Sequence, residues 1–415
     1  MSYNREIDNK WSFRCSDTKE FTHCYHAYPA MMIPQVARAL IEEYAPEGNI
    51  NLIFDPYMGS GTTLVEASIK GIASIGTDLN PLARLMSNVK TTRYEESVIL
   101  TQYRAISSTF TGYDKSKVAN TNFDRISNYT YWYSLDVLYK LAYIEESITK
   151  FANGCDFFRL ILAEIIREVS FTRNGEFKRF RMSADKIASY NPNPFELFDK
   201  KFKRNFKGLQ SYNATMEIAP SVTICDFNST NGIPQELIDS ESVDMIITSP
   251  PYGDSRTTVA YGQFSRWANE WFGFKNAKNI DNELMGGGKC KNVEFHSTEI
   301  ADVLKQIRNL DEKRYWEVVS FLNDYWKSIQ NISKTIRQGG RVCYVVGDRR
   351  VKGIQIPLDY FTAEMFEQCG FKHLNTIVRE IPNKRMPSLT SPTNKAGNIV
   401  QTMSHEYIVI LTKTK

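Results

Sequence analysis

The chain has 415 residues, 42% hydrophobic and 24% charged, with 51 Lys and Arg against 47 Asp and Glu. This is the profile of an ordinary globular protein of about two domains, and a net charge of +4 is too small by itself to demand a polyanionic partner. No apolar run approaches the roughly 18 to 20 residues that span a bilayer, and the opening MSYNREIDNK has no basic-then-apolar signal pattern, so neither membrane insertion nor secretion is expected.

Seven cysteines (15, 24, 155, 225, 290, 343 and 369) are scattered, odd in number and never spaced as CxxC. They read as reduced thiols of a cytoplasmic protein, and no metal is expected. Cys15, His23, Cys24 and His26 fit no common zinc spacing; they are expected to pack or to border a ligand pocket.

In chain order, the run MMIPQVARALIEEYA at 31–45 has helical spacing after a Pro. A short apolar run at 51–54 leads into Asp55-Pro-Tyr-Met-Gly-Ser-Gly-Thr-Thr63 and then LVEASIK, which predicts strand, tight glycine turn, helix. A second run at 72–77 ends at Asp78-Leu-Asn-Pro81 and precedes LARLMSNVK, again strand then helix. Two such units in succession predict a parallel sheet with crossover helices.

From 91 to 219 this rhythm gives way to long helical patterns such as LDVLYKLAYIEESITKFA and FFRLILAEIIREVS, so the block is expected to be an inserted helical domain. Strand signals return at 221–225, ending at Asp226-Phe227, and at 243–248, ending at Ser249-Pro250-Pro251-Tyr252. Residues 254–310 have little periodicity and predict loops with short helices. A helix from about 311 to 336, a strand in RVCYVVGD, a helix in PLDYFTAEMFEQCG and two last strands complete the chain. The fold class is therefore α/β, a doubly wound Rossmann-like sheet built from 1–90 and 220–415.

Charge is uneven. Between residues 167 and 207 there are eleven basic residues against five acidic ones, a net +6, interleaved with Phe171, Phe177, Phe180, Tyr190, Phe195, Phe198, Phe202 and Phe206. Basic and aromatic side chains together suit a surface that tracks phosphates and stacks bases; a solvated helix with core-facing aromatics is the equal alternative.

The glycine turn is not a triphosphate loop, since no Lys follows Gly61, and it lacks the third Gly of a dinucleotide fingerprint, with Leu64 in that register. What remains is an acid at the end of each of two successive strands, Asp55 and Asp78, 23 positions apart. A second-strand carboxylate at about that spacing takes a ribose hydroxyl pair, so the expected ligand is nucleoside-like with no phosphate. The S-P-P-Y turn lies just beyond a strand's carboxyl end, where ligands bind in open α/β sheets. Its two prolines fix the backbone, the Ser249 hydroxyl and Pro250 carbonyl are preset acceptors, and Tyr252 offers a flat face. Two acceptors and a stacking surface suit an exocyclic amine on a nucleobase.

DPYMGSGTT, GTDLNP and TSPPYG together resemble the motifs of the S-adenosyl-L-methionine-dependent DNA amino-methyltransferases, which methylate N4 of cytosine or N6 of adenine. HAYPAMMIPQVARALI is similar to the segment preceding their glycine motif, and the run from CDFNST to TSPPYG matches their approach to the catalytic turn. The resemblance covers 20–90 and 220–270 well, 339–415 loosely, and the insert not at all. It implies that Asp55, Gly59 and Gly61 hold the methionine part of S-adenosyl-L-methionine, Asp78 the ribose, and Asp226 and Phe227 the adenine. Tyr57, Ser60, Thr62, Thr63, Asn80 and Pro81 complete the expected cofactor set. Ser249, Pro250, Pro251 and Tyr252 would act on the target base.

Tyr57 stands where the family more often has Phe, and here the glycine motif precedes the catalytic one, whereas many S-P-P-Y members have the reverse order. The resemblance further implies double-stranded DNA as substrate, a flipped target base, and a restriction endonuclease as functional counterpart without a stable complex. Ser at the first motif position points to N4 of cytosine, with N6 of adenine and an RNA base amine as the alternatives, and a non-catalytic DNA-binding protein as a third. Cytosine C5 chemistry would need a Pro-Cys nucleophile, and no cysteine follows a proline; deamination would need HxE with PCxxC. The expected DNA contacts are Arg179, Lys200, Lys201, Lys203 and Arg204 in the insert and Arg256 after the catalytic turn. Gly347-Asp348-Arg349-Arg350 ends a strand on the same sheet edge, and one of its two arginines is a weaker candidate for a phosphate contact.

Overall fold

The computed structural model describes residues 3–175, 177–216, 218–254, 259–347, 349–381, 389–390, 400–401 and 405–414. Its main sheet takes strands β1 (Arg5–Ile7), β2 (Leu52–Asp55), β3 (Ala73–Thr77), β4 (Val222–Cys225), β5 (Val243–Thr248), β6 (Ile336–Gly347), β7 (Phe371–Glu380) and β8 (His405–Lys413). Their order is β1-β7-β8-β6-β5-β2-β3-β4, parallel except for β8, which runs antiparallel to both β6 and β7. Strand order reverses at β2, which pairs with β3 on one side and β5 on the other. The crevice at that reversal is where open α/β sheets bind ligands, and it is bordered by the ends of β2 and β5, Asp55 and Thr248.

Alternation along the strands feeds two cores. Ile53, Met245, Ile247, Cys343 and Val345 pack with helix α1 (Pro34–Glu43), while Phe54, Ile246, Val342 and Tyr344 pack with the helix Glu312–Ser333 on the other face. A period of two on a sheet covered by helices on both sides gives this division. Helix α1 starts at Pro34 and not at 31, because Ile33 is extended and a residue before proline is pushed out of the helical region. Helix α2 (Thr62–Ile69) follows the left-handed Gly61, and α3 (Pro81–Thr91) is capped by the Asn80 side chain with Pro81 in its first turn.

The helical block 91–219 shares one core with the sheet domain. Helices Leu135–Phe151, Asp156–Glu168 and Pro194–Asn213 pack with Leu82, Met86 and Val89 of α3 and with Phe264, Trp267 and Trp271. Those last three lie on helix Tyr261–Trp271, inside the segment expected to hold loops with short helices. Their spacing at 264, 267 and 271 is helical, and burial of both Trp side chains drives the helix onto the insert. Strand β1 carried no sequence signal: it is an edge strand of partly or wholly exposed residues, held by Arg5 paired to Asp359 and set over the rings of Tyr360 and Tyr407.

Candidate active site

The glycine turn is built around hydrogen bonds to the two acids. Thr248 Oγ1 donates to Asp55 Oδ1 at 2.5 Å, and the Tyr57 amide donates to the same oxygen at 3.1 Å. The amides of Gly59 and Asn80 donate to the two oxygens of Asp78 at 3.1 and 2.7 Å. Burial pushes the carboxyls of both Asp55 and Asp78 up to about 6, despite these donors. Gly61 has φ +75°, and a Cβ there would lie 2.7 Å from Ser87 Oγ, so the turn closes against α3 only with glycine. Lys90 is buried beneath it and donates to the Ser60 carbonyl at 2.7 Å.

An open cleft, with an empty volume of about 920 Å³ counting the solvent at its mouth, runs over this turn. Of the expected residues, Asp55, Tyr57, Gly59, Ser60, Thr62, Asp78, Asn80, Phe227, Ser249 and Pro251 line it together. Its apolar walls are Tyr28, Met31, Met32, Met58, Leu79, Tyr261, Leu284 and Met285. Paired carboxylates and flat and sulfur-bearing apolar walls suit a ligand with positive charge, hydroxyls and a planar ring. The residues therefore fit S-adenosyl-L-methionine.

Other expected residues sit elsewhere. Thr63 lies buried beneath the turn, its hydroxyl donating to the Ile247 carbonyl at 3.1 Å. Pro81 and the exposed Asp226 border a neighbouring groove with Arg84, Asp156 and Arg159, and do not line the cleft. Asn80 lines the cleft, yet its amide is committed to Tyr28, Ser265 and Asn269, so it holds α3 against the cleft wall. Tyr57 lends its hydroxyl to Ser328. His23 and His26 pack: His23 meets Glu66 at 2.8 Å with Arg38 on the same carboxylate, and burial lowers His23 to about 4. Among the described residues no cluster could hold a metal.

The S-P-P-Y turn is held by a line of hydrogen bonds. Ser249 Oγ lies 3.1 Å from the Tyr252 hydroxyl, which donates to Glu406 Oε1 at 3.0 Å; Arg379 donates to Glu406 Oε2 at 2.7 Å. Pro250 is buried. Of the two arginines that are weak candidates for a phosphate, Arg349 is buried in an ion pair with Asp254, while Arg350 is exposed.

Two expected DNA contacts need correction. Lys201 reaches Glu164 at 3.1 Å and Glu168 at 2.5 Å, and Arg204 clasps Glu164 at 2.6 Å while donating to the Tyr25 carbonyl. Their charge is spent inside the fold, joining helix Pro194–Asn213 to helix Asp156–Glu168. The aromatics of that helix are likewise core: Phe198 and Phe202 are buried, and Phe202 stacks on Tyr103 at 3.6 Å. Lys200 and Lys203 are exposed. Arg179 stands over the Trp267 ring at 4.7 Å, and Arg256 lies outside the described residues. Of the cleft residues not foreseen one by one, Tyr28, Met31 and Met32 fall in the upstream segment, whereas Leu284 and Met285 come from a stretch with no readable pattern.

A family model described as DNA methylase matches residues 2–87. The chain is 39% identical to the type II methyltransferase M.MvaI of Kocuria varians over 96% of this chain and 92% of that one. It is 22% identical to the type II methyltransferase M.BsoBI of Geobacillus stearothermophilus over 84% of this chain and 78% of that one. Among solved structures, an rRNA methyltransferase from Streptomyces viridochromogenes aligns over 93% of this chain and 88% of that one, at 8% identity and a TM-score of 0.35.

Proposed function

The chain belongs to the type II DNA amino-methyltransferases, which use S-adenosyl-L-methionine, and from that premise we propose that it methylates N4 of cytosine within a short DNA sequence. The observation that carries the reading is Ser249 at the first position of the S-P-P-Y turn, opening on the same cleft as Asp55 and Asp78. Bound S-adenosyl-L-methionine supplies an electrophilic methyl group on a sulfonium. The chain's own residues hold and orient. Asp55, Gly59 and Ser60 are assigned to the methionine part, Asp78 to the ribose, and Phe227 to the adenine.

An N4 lone pair is conjugated into the pyrimidine ring and is a weak nucleophile. Accepting its two hydrogens on Ser249 Oγ and the Pro250 carbonyl favours the pyramidal nitrogen that can attack in line, so no covalent enzyme adduct is required. A duplex base must leave the stack to reach the turn, at a cost of a few kcal/mol.

The DNA face in this reading is the paired segments 171–173 and 180–182 and the residues described beside them. Helix Asp156–Glu168 ends beside helix Tyr261–Trp271, where Arg167 stands over the Phe264 ring, and the first of these segments follows at once. A Thr172–Arg181 bridge and an Arg173–Phe180 hydrogen bond join the two, and the Arg179 amide donates to Gln263, two residues from the cleft-lining Tyr261. Arg173 is exposed, as are Phe180 at 44% and Tyr131 at 50%, with Arg181 set over the Tyr131 ring. Cations beside exposed rings next to the cleft suit DNA backbone and bases. Lys200 and Lys203 remain as flanking contacts.

Nucleoside mass spectrometry of mixed-sequence DNA, incubated with cofactor and either wild type or Ser249→Ala, tests the reading. N4-methylcytosine from wild type, lost or strongly reduced in the variant, is expected. N6-methyladenine would overturn the cytosine assignment and leave the rest.

A further inference from the structure

Ser249 and Glu406 lie far apart in sequence, yet the antiparallel insertion of β8 between β6 and β7 sets Glu406 opposite Gly347 at the end of β6 and beside Arg379 of β7. This is the same sheet edge from which the catalytic turn leaves β5. The contacts then form one line: Arg379 to Glu406 at 2.7 Å, Glu406 to Tyr252 at 3.0 Å, Tyr252 to Ser249 at 3.1 Å. Arg379 is 3% exposed, so solvent does not compete at that end.

The line has a direction. A guanidinium only donates and a carboxylate only accepts, so the Tyr252 proton must go to Glu406. The Tyr252 oxygen is then free only to accept, and the proton it accepts is that of Ser249. A serine hydroxyl has one proton and two lone pairs; with its proton turned toward Tyr252, Ser249 Oγ presents lone pairs alone to the cleft.

We propose that Glu406 is a positioning residue that, through Tyr252, fixes Ser249 as an obligate hydrogen-bond acceptor for the amine of the target base. The inference rests on the reading of Ser249 given under the proposed function. It adds a specificity role: a base carrying oxygen in place of the amine meets lone pairs opposed to lone pairs.

Glu406→Gln tests it with little change of shape. Arg379 can only donate, so the glutamine carbonyl must face Arg379 and its NH₂ must face Tyr252. Tyr252 then accepts from the glutamine and donates to Ser249, and the Ser249 proton swings into the cleft: the same atoms with reversed polarity. Two readouts follow, once the modified sequence has been mapped on DNA treated with wild type. The first is kcat, expected to fall about tenfold or more with the KM for S-adenosyl-L-methionine unchanged.

The second readout needs no turnover. With S-adenosylhomocysteine present, the affinities for a duplex carrying the target base and for one carrying its deaminated form (uracil for cytosine, hypoxanthine for adenine) are compared. The wild-type preference for the amine is expected to narrow about tenfold in Glu406→Gln; the intrinsic ease of flipping a mismatched base cancels in this ratio of ratios. In a Tyr252→Phe background the same substitution is expected to change neither readout.

A folded Glu406→Gln enzyme with wild-type kcat and discrimination overturns the inference, as does an equal effect of the substitution with and without the Tyr252 hydroxyl. If Glu406→Gln does not fold, Tyr252→Phe alone decides: a lower kcat and weaker discrimination support the line, and unchanged values overturn it. Absence of any methyl transfer by wild type is a different result and overturns the proposed function itself.

Discussion

The guanidinium of Arg349 donates to Asp254 Oδ2 at 2.7 Å, and the two side chains are 7% and 4% exposed. The pair locks the segment just after the S-P-P-Y turn to the strand end after β6, and Gly253 makes room for it: a Cβ there would lie 2.2 Å from Arg349 Nη1. Breaking a buried ion pair by removing one partner typically costs about 3 to 5 kcal/mol. Asp254→Ala is therefore expected to lower the urea midpoint markedly and to cut kcat, whereas Asp254→Asn, which keeps an acceptor, should do less of both. Equal stability of Asp254→Ala and wild type in urea melts would show that the pair contributes no net energy.

Cofactor affinity should depend on pH in the acid range. Asp55 and Asp78 titrate near 6 in the folded chain because burial disfavours their charged forms. Folded values above unfolded ones mean that the folded state binds protons more tightly. Their contribution to stability without cofactor is therefore present in full below about 4 and is lost as pH rises through about 6. A cationic ligand favours the ionised acids, so binding runs the opposite way: affinity for S-adenosyl-L-methionine falls as pH drops from 7 to 5. Calorimetry near pH 6 in two buffers of different ionisation heat should detect proton release on binding. Identical heats and a flat affinity profile would mean that both acids are already ionised.

Gly61→Ala should damage the cofactor turn through sterics alone. It combines a positive φ with a Cβ 2.7 Å from Ser87 Oγ and 3.0 Å from Ser87 Cα, which together cost about 2 to 4 kcal/mol. Lower stability in denaturant and weaker cofactor binding are both expected. A variant with wild-type affinity would place the methionine part away from this turn.

Charge reversals should separate the DNA face from the structural cations. Arg173→Glu with Lys186→Glu, both exposed and in or just after the paired segments, should weaken DNA binding about tenfold and reduce the salt slope by roughly two, without affecting stability. Arg204→Glu should instead cost about 2 kcal/mol of stability, because it opposes Glu164 at the site of a 2.6 Å ion pair. If fluorescence anisotropy across a salt series gave an unchanged slope for the double reversal, the DNA would have to lie on another face.

The positions most legible in the sequence are those at strand ends. Asp55, Asp78 and Ser249 each follow an apolar run, and in a doubly wound sheet such positions converge on one edge whatever the loops do. The less legible residues come from elements without that rule. Leu284 and Met285 enter the cleft from an aperiodic stretch, and the position of the helix Tyr261–Trp271 within 254–310 has no clear signal because its apolar spacing lies between turn-rich segments.

By itself the sequence determined the strand-turn-helix units and the placement of Asp55, Asp78 and Ser249 at strand ends, since backbone punctuation and strand periodicity are local properties of the chain. Tertiary structure alone decided the fate of each charge. Lys201 and Arg204 read as a DNA-facing pair until Glu164, some 40 positions earlier, was brought against them. Glu406 carried no signal until β8 laid it against Tyr252, 154 positions away. A side chain's charge and hydrogen-bond polarity are spent on whichever partner lies within about 3 Å, and for residues this distant in sequence only the packed sheet sets that distance.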